Sequence, residues 1–242
     1  MMVSGTDKRT YSISREIGCV VNGLVPDGRA LMYRGREECK QYIDNFGIKI
    51  PGQIIAERLA NVTQMNTVYS YQRPYGSSMV MASHDIIKGA TLWMIEPAGT
   101  CYQYYGCAAG RGRQLARNEI EKTNFRELTV EEALPKVAKL LLKSQDEMKE
   151  KKQELELSVL TEGNNWVNKI LDRATTDALC VSALAEIENE DDNMNWLSNA
   201  TELQMNSCFL TKIYIYHMLL TLQNCLIKAI HLVVMLLQLQ MD

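Results

Sequence analysis

The stretch LWMIEPAGTCYQYYGCAAGRGRQLARNEIEK, Leu92 to Lys122, packs three structural signals end to end. Apolar and aromatic runs flank Pro97-Ala98-Gly99, which predicts a β-hairpin with those three residues as its turn. Gly106, Gly110 and Gly112 follow, and a helix is expected from about Arg113. A glycine-rich loop that opens a helix often cradles phosphate, because free N–H groups and the helix dipole favour an anion there. The detailed pattern argues otherwise. A P-loop needs Gly-Lys-Ser/Thr, whereas Gly112 is followed by Arg113 and Gln114. A dinucleotide fingerprint reads G-x-G-x-x-G, and the spacing here is G-x-x-x-G-x-G. The residues favour a tight strand-to-helix turn in which glycine serves the backbone alone.

Upstream, RPYGSSMVMASHD reads as a turn over Arg73–Gly76 and then a strand apolar enough to be buried on both faces. Before it lie two helices. In the first, Leu31, Cys39, Tyr42, Ile43 and Phe46 share a face, and Gly47 is its stop. Pro51 opens the second, whose apolar side is Ile54, Ile55, Leu59, Val62, Met65 and Val68. RTYSISREIGCVVNGL predicts two short strands around a turn at Ser14–Glu16. Downstream, Thr129 and Glu132 form a capping box for a helix that contains Pro135. ELELSVLT alternates as a strand, and an amphipathic helix is expected from Asn164 to Ile187. Strands, two helices, strands, two helices, strand, helix: the order predicts a layered α+β fold.

At 46% apolar and 23% charged, the composition is that of a globular domain. A formal net charge of -3 gives no reason to expect nucleic acid as a partner. Seven cysteines without C-x-x-C spacing fit a reducing compartment better than a disulfide framework. None of His84, His217 and His231 lies near paired cysteines, so no zinc site is expected, and no cofactor. His84 ends a strand beside Asp85, with a surface turn as its favoured role, and no Ser/His/Asp constellation can be assembled. The opening MMVSGTDKRTYS lacks the apolar core of a secretory signal, so the glycosylation pattern at Asn199 carries no weight.

The acidic run Glu186–Asp192 reads as a solvated tail. Beyond it, Phe209–Leu239 is strongly apolar, yet Lys228 would sit near the middle of any span, at about 3 kcal/mol. That charge argues against a tail anchor and for an appendage outside the domain.

RPYGSSMVMASHD, the Leu92–Lys122 stretch and EMKEKKQELELSVLTEG together resemble the α-type subunits of the 20S proteasome. Arg73-Pro74-Tyr75-Gly76 is similar to the family's Arg-Pro-aromatic-Gly element, and Pro97-Ala98-Gly99 to its hairpin turn. Gly106 and Gly110 lie in the segment similar to its strand-to-helix turn. The resemblance runs from about Met2 to Met194, and its acidic end is similar to the tail of one branch of the family.

The resemblance implies a four-layer αββα sandwich of the N-terminal-nucleophile hydrolase type, incomplete at the N-terminus. The family's opening tail, first helix and first strands have no counterpart before Met2. Residues 1–194 would form the domain, and 195–242 an apolar extension outside it. Active relatives expose an N-terminal threonine. Were Thr6 that nucleophile, its supporting Asp and Lys would fall at Asn22 and Glu38, so the non-catalytic class is implied. The alternatives are an active threonine hydrolase and a tail-anchored membrane protein. Implied partners are other proteasome α and β subunits and activators or the regulatory particle, in cytoplasm and nucleus. Lys8 and Arg9 fall near the family's basic activator-pocket position, where a solvated basic pair is the competing reading.

Overall fold

The computed structural model describes residues 8–125, 127–147, 155–187 and 189. Five antiparallel strands form one sheet in chain order: β1 (Thr10–Ser14), β2 (Ile17–Gly23), β3 (Ser77–Asp85), β4 (Gly89–Ile95) and β5 (Cys101–Tyr104). Between β2 and β3 run α1 (Val25–Phe46) and α2 (Gly52–Val68). After β5 come α3 (Arg113–Lys122) and α4 (Val130–Glu147). A second sheet is the pair β6 (Ser158–Val159) and β7 (Lys169–Ile170), followed by α5 over residues 173–187.

The sheet divides two cores because side chains alternate across a strand. Ile17, Cys19, Val21, Met79, Met81, Trp93 and Ile95 point to one face, where Leu31, Ile55 and Leu59 of α1 and α2 cover them. Val20, Val80, Ala82, Leu92 and Met94 point to the other, against Ala116 of α3, Val137 and Leu141 of α4, and Leu157 and Leu160 around β6. The centre of β3, Met79 to Ala82, is therefore apolar at every position for the expected reason: both its faces are buried. Glycine sets how closely α1 approaches. A Cβ on Gly28 would fall on Val21, and one on Gly35 would lie 3.2 Å from Ile13.

The early elements follow the sequence. Gly47 closes α1 in the left-handed region at φ 69°, its N–H donating to the Ile43 carbonyl. The capping box at α4 forms: Thr129 N–H donates to Glu132 at 3.0 Å, and Glu132 N–H to the Thr129 hydroxyl at 3.3 Å. Pro135 lies within α4, which continues past it.

Three expectations are corrected. The alternating strand over ELELSVLT shrinks to Ser158–Val159, and Leu157 to Leu160 are all buried because the segment lies between the sheet and the outer helices. The last helix begins at residue 173, not 164. Asn165 and Trp166, at φ 52° and 55°, turn the chain left-handed, and β7 follows. The apolar faces of α1 and α2 also run off the core: Ile43, Phe46, Met65 and Val68 are exposed, while Ala56, Ala60 and Thr63 are buried instead.

Candidate functional site

The Arg-Pro-Tyr-Gly element closes a clamp on the β2–α1 junction. β2 ends at Gly23, φ 100°, and α1 begins within two residues, with Pro26 and Asp27 in its first turn. The buried Asp27 carboxylate accepts from both terminal nitrogens of Arg73, at 2.6 and 2.8 Å, and from the Gly76 N–H at 2.8 Å. This forked geometry is the strong form of an ion pair. Arg73 is the main cause that holds the Asp27 carboxyl below its usual range, with the Gly76 N–H adding to it against burial. Arg73 also donates to the Pro74 carbonyl at 3.1 Å. The Gly76 carbonyl accepts from Leu24 N–H at 2.9 Å, and a Cβ on Gly76 would press on Leu24 at 2.6 Å. Tyr75 is half-buried beside this clamp.

The second element docks the hairpin on α2. Glu96 N–H donates to Thr100 and Gly99 N–H to Glu96, at 3.1 and 2.9 Å, around Pro97. Gly99 has φ 87°, and a Cβ there would meet the backbone of Gln64 at 2.9 Å and the Ala60 carbonyl at 3.0 Å. Only glycine fits both the conformation and the space.

Gly106 and Gly110 serve packing and turning. A Cβ on Gly106 would lie 2.8 Å from Ile120 of α3, and Gly110 takes φ 117° to let Arg113 N–H reach its carbonyl at 3.3 Å. The loop is thus built to bring α3 against β5, the role the glycine spacing suggests.

Lys8 and Arg9 part company. Lys8 is exposed, whereas Arg9 is 4% exposed and donates to the Gly23 carbonyl at 2.7 Å. Glu156 accepts the Arg9 and Thr10 N–H groups, each at 3.1 Å, which fastens β1 to the segment entering β6. Arg9 is thus engaged within its own chain.

Thr6 lies outside the described residues. The two positions paired with it hold no catalytic helper. Asn22 accepts from the Gly23 N–H at 2.9 Å, and Glu38 sits between Arg34 at 2.7 Å and Arg58 at 2.9 Å. No group of three His, Cys, Asp or Glu residues suited to a metal occurs among the described residues. No described helix is long and apolar enough to cross a membrane, and Phe209–Leu239 lies outside the described residues.

Sequence reasoning missed Asp27, Glu156 and the Trp166 loop. His84 lies at the end of β3, as expected, but in place of a surface-turn role it stacks on Trp166, with ring centroids 4.0 Å apart and planes 8° from parallel. Asn168 donates to the Ser12 hydroxyl at 2.8 Å and closes tightly over Gly18. These partners lie far apart in the chain, and the one available signal was the acidic Asp27 just after a proline.

Comparison with known proteins fits this geometry. A family model described as proteasome subunit matches residues 1–160. The proteasome subunit alpha type-3 of Dictyostelium discoideum is 35% identical over 194 residues, 80% of this chain and 77% of that protein. The corresponding subunit of Arabidopsis thaliana is 39% identical over 162 residues, 67% of this chain and 65% of its own length. A probable proteasome subunit alpha type-7 of Schizosaccharomyces pombe is 38% identical over 187 residues, covering 76% and 74%. The chain belongs to the proteasome subunit family, among relatives of the α type, and its fold is the α+β fold of N-terminal-nucleophile hydrolases.

Proposed function

We propose that this chain is a non-catalytic structural subunit of the 20S proteasome α ring, contributing to ring assembly, pore gating and activator docking in ubiquitin-dependent protein degradation. One observation carries the reading. The proteasome match over residues 1–160 falls on a chain whose two helper positions are Asn22 and an arginine-neutralised Glu38. Its partners are then other proteasome α and β subunits, and activators whose terminal carboxylates could pair with the exposed Lys8. The five described cysteines are free thiols, which supports work in the cytoplasm and nucleus. Residues 195–242 are proposed to lie outside the domain.

Co-expression of the tagged full chain with the other α and β subunits tests this. Co-purification with α subunits and no peptidase turnover by the isolated chain are expected. Recovery of the chain without any α subunit would overturn the assignment. Turnover of a fluorogenic peptide that disappears in Thr6→Ala would favour the threonine hydrolase instead.

A further inference from the structure

Asn22-Gly23 is the one Asn-Gly step in the sequence, and it sits where β2 ends and α1 is about to begin. We propose that Asn22 is a spontaneous modification site, at which the Gly23 backbone nitrogen displaces the side-chain amide and water opens the resulting ring.

Three observations carry this. First, the Gly23 N–H donates to Asn22 Oδ1 at 2.9 Å. Oδ1 is bonded to Cγ, so the nitrogen is held beside the carbon it would attack. Once the proton leaves, a rotation of the Asn22 side chain turns the face of Cγ, in place of Oδ1, toward the nitrogen lone pair. Proximity of this kind removes part of the entropic cost of reaction. Second, the conformation is fixed rather than sampled. Gly23 has φ 100°, its carbonyl accepts from Arg9 at 2.7 Å, and Leu24 N–H is bonded to Gly76 at 2.9 Å. Asn22 is buried, at 7% exposure, but Gly23 is exposed and has no side chain, so base and water approach the junction from the Gly23 side. Third, the departing Nδ2 of Asn22 makes no hydrogen bond among the described residues and is not sealed from solvent. Nothing holds the leaving group in place.

The chemistry balances without a co-reactant other than water. Hydroxide removes the Gly23 amide proton, the N–Cγ bond forms, and the Cγ–Nδ2 bond breaks. Nδ2 takes a proton and departs as ammonia, leaving a five-membered imide. Water then adds to one of the two imide carbonyls. Addition at Cγ gives aspartate, and addition at the backbone carbonyl gives isoaspartate, whose main chain runs through Cβ. No atom changes oxidation state. Isoaspartate lengthens the main chain between Ser78's partner in β2 and the Gly23 carbonyl that Arg9 holds. Conversion therefore loosens the junction that the Asp27 clamp closes.

The test is peptide mapping by mass spectrometry of the full chain, aged in neutral and mildly alkaline buffer, natively and in urea. Water labelled with heavy oxygen marks each conversion by the one atom it adds. Asn22 is expected to convert faster than any other asparagine in the native chain, at a rate equal to or above that of the urea-unfolded chain. Both aspartate and isoaspartate are expected, with the rate rising with hydroxide. Asn22→Gln, whose ring closure is less favourable, should lose the signal. An Asn22 that stays intact in the native chain while converting in urea overturns the proposal, and that comparison needs no variant to fold.

Discussion

Asp27 and Arg73 stand 46 positions apart, yet the two guanidinium nitrogens of Arg73 grip the two carboxylate oxygens of Asp27. The same carboxylate fixes the Gly76 amide. The entry to α1 is therefore tied to the entry to β3 through one buried acid.

Asp27→Ala should destabilise the domain by about 1–2 kcal/mol, with the Gly76 bond as the main loss, because Arg73 is solvent-exposed and its half of the pair is screened. The pH dependence has a defined sign. The Asp27 carboxyl is lowered in the folded state, so its stabilisation is complete above the unfolded value of about 3.9. It declines as the pH falls below that value and is gone beneath the folded one. Thermal melts of wild type and Asp27→Asn across this range should converge at the acid end. Parallel curves would show that Asp27 does not titrate with folding.

At the hairpin, Gly99→Ala should cost about 1–3 kcal/mol, since a Cβ at φ 87° is strained and meets the α2 backbone. Gly47→Ala has the same kind of φ, 69°, but open space around it, so it should cost less. Urea unfolding of the two variants measures the difference, and equal losses would remove the packing part of the argument.

His84 and Trp166 should show a coupling of about 0.5–1.5 kcal/mol in a double-mutant cycle, the range for stacked rings. Hydrogen exchange in the 161–170 segment should accelerate in Trp166→Ala. Additive single-mutant effects would mean that the stacked rings contribute nothing beyond what Asn168 and the β6–β7 pairing already hold.

The described thiols should differ in reactivity. Burial pushes Cys19 and Cys107 up to about 12 and Cys39 and Cys101 to about 11. Cys180, half-buried on α5, is raised as well, by burial and by Asp177. Since the thiolate is the reactive form, alkylation of the native chain near neutral pH should mark Cys180 before the other four. Early labelling of Cys19 or Cys107 would show that the core around it opens.

Ending the chain after Met194 should raise solubility and leave the far-ultraviolet spectrum per residue of the domain intact, because the apolar run Phe209–Leu239 would be removed. A truncated chain that fails to fold would place that run inside the domain.

Periodicity and punctuation are local, and the sequence determined what is local. The hairpin around Pro97–Gly99, the stop at Gly47, the Thr129 capping box and the glycine turn before α3 all follow from residues within one or two turns of each other. The Arg73–Gly76 element was legible too, as a motif. Its partner was not, because nothing in the chain near Arg73 marks Asp27 as the acid that receives it. Tertiary structure alone decided the rest. Ile43, Phe46, Met65 and Val68 read as core, but α1 and α2 extend past the sheet that buries their other residues. ELELSVLT alternated like a half-buried strand, yet Leu157 to Leu160 are buried in succession, with Leu157 and Leu160 packed into the core that α4 covers. Trp166 read as helical until the turn at Asn165 set its ring on His84. Arg9 read as a basic surface residue, but β1 lies where its guanidinium reaches the carbonyl at the end of β2. In each case a side chain's environment is set by an element distant in sequence, and burial is a property of that pairing.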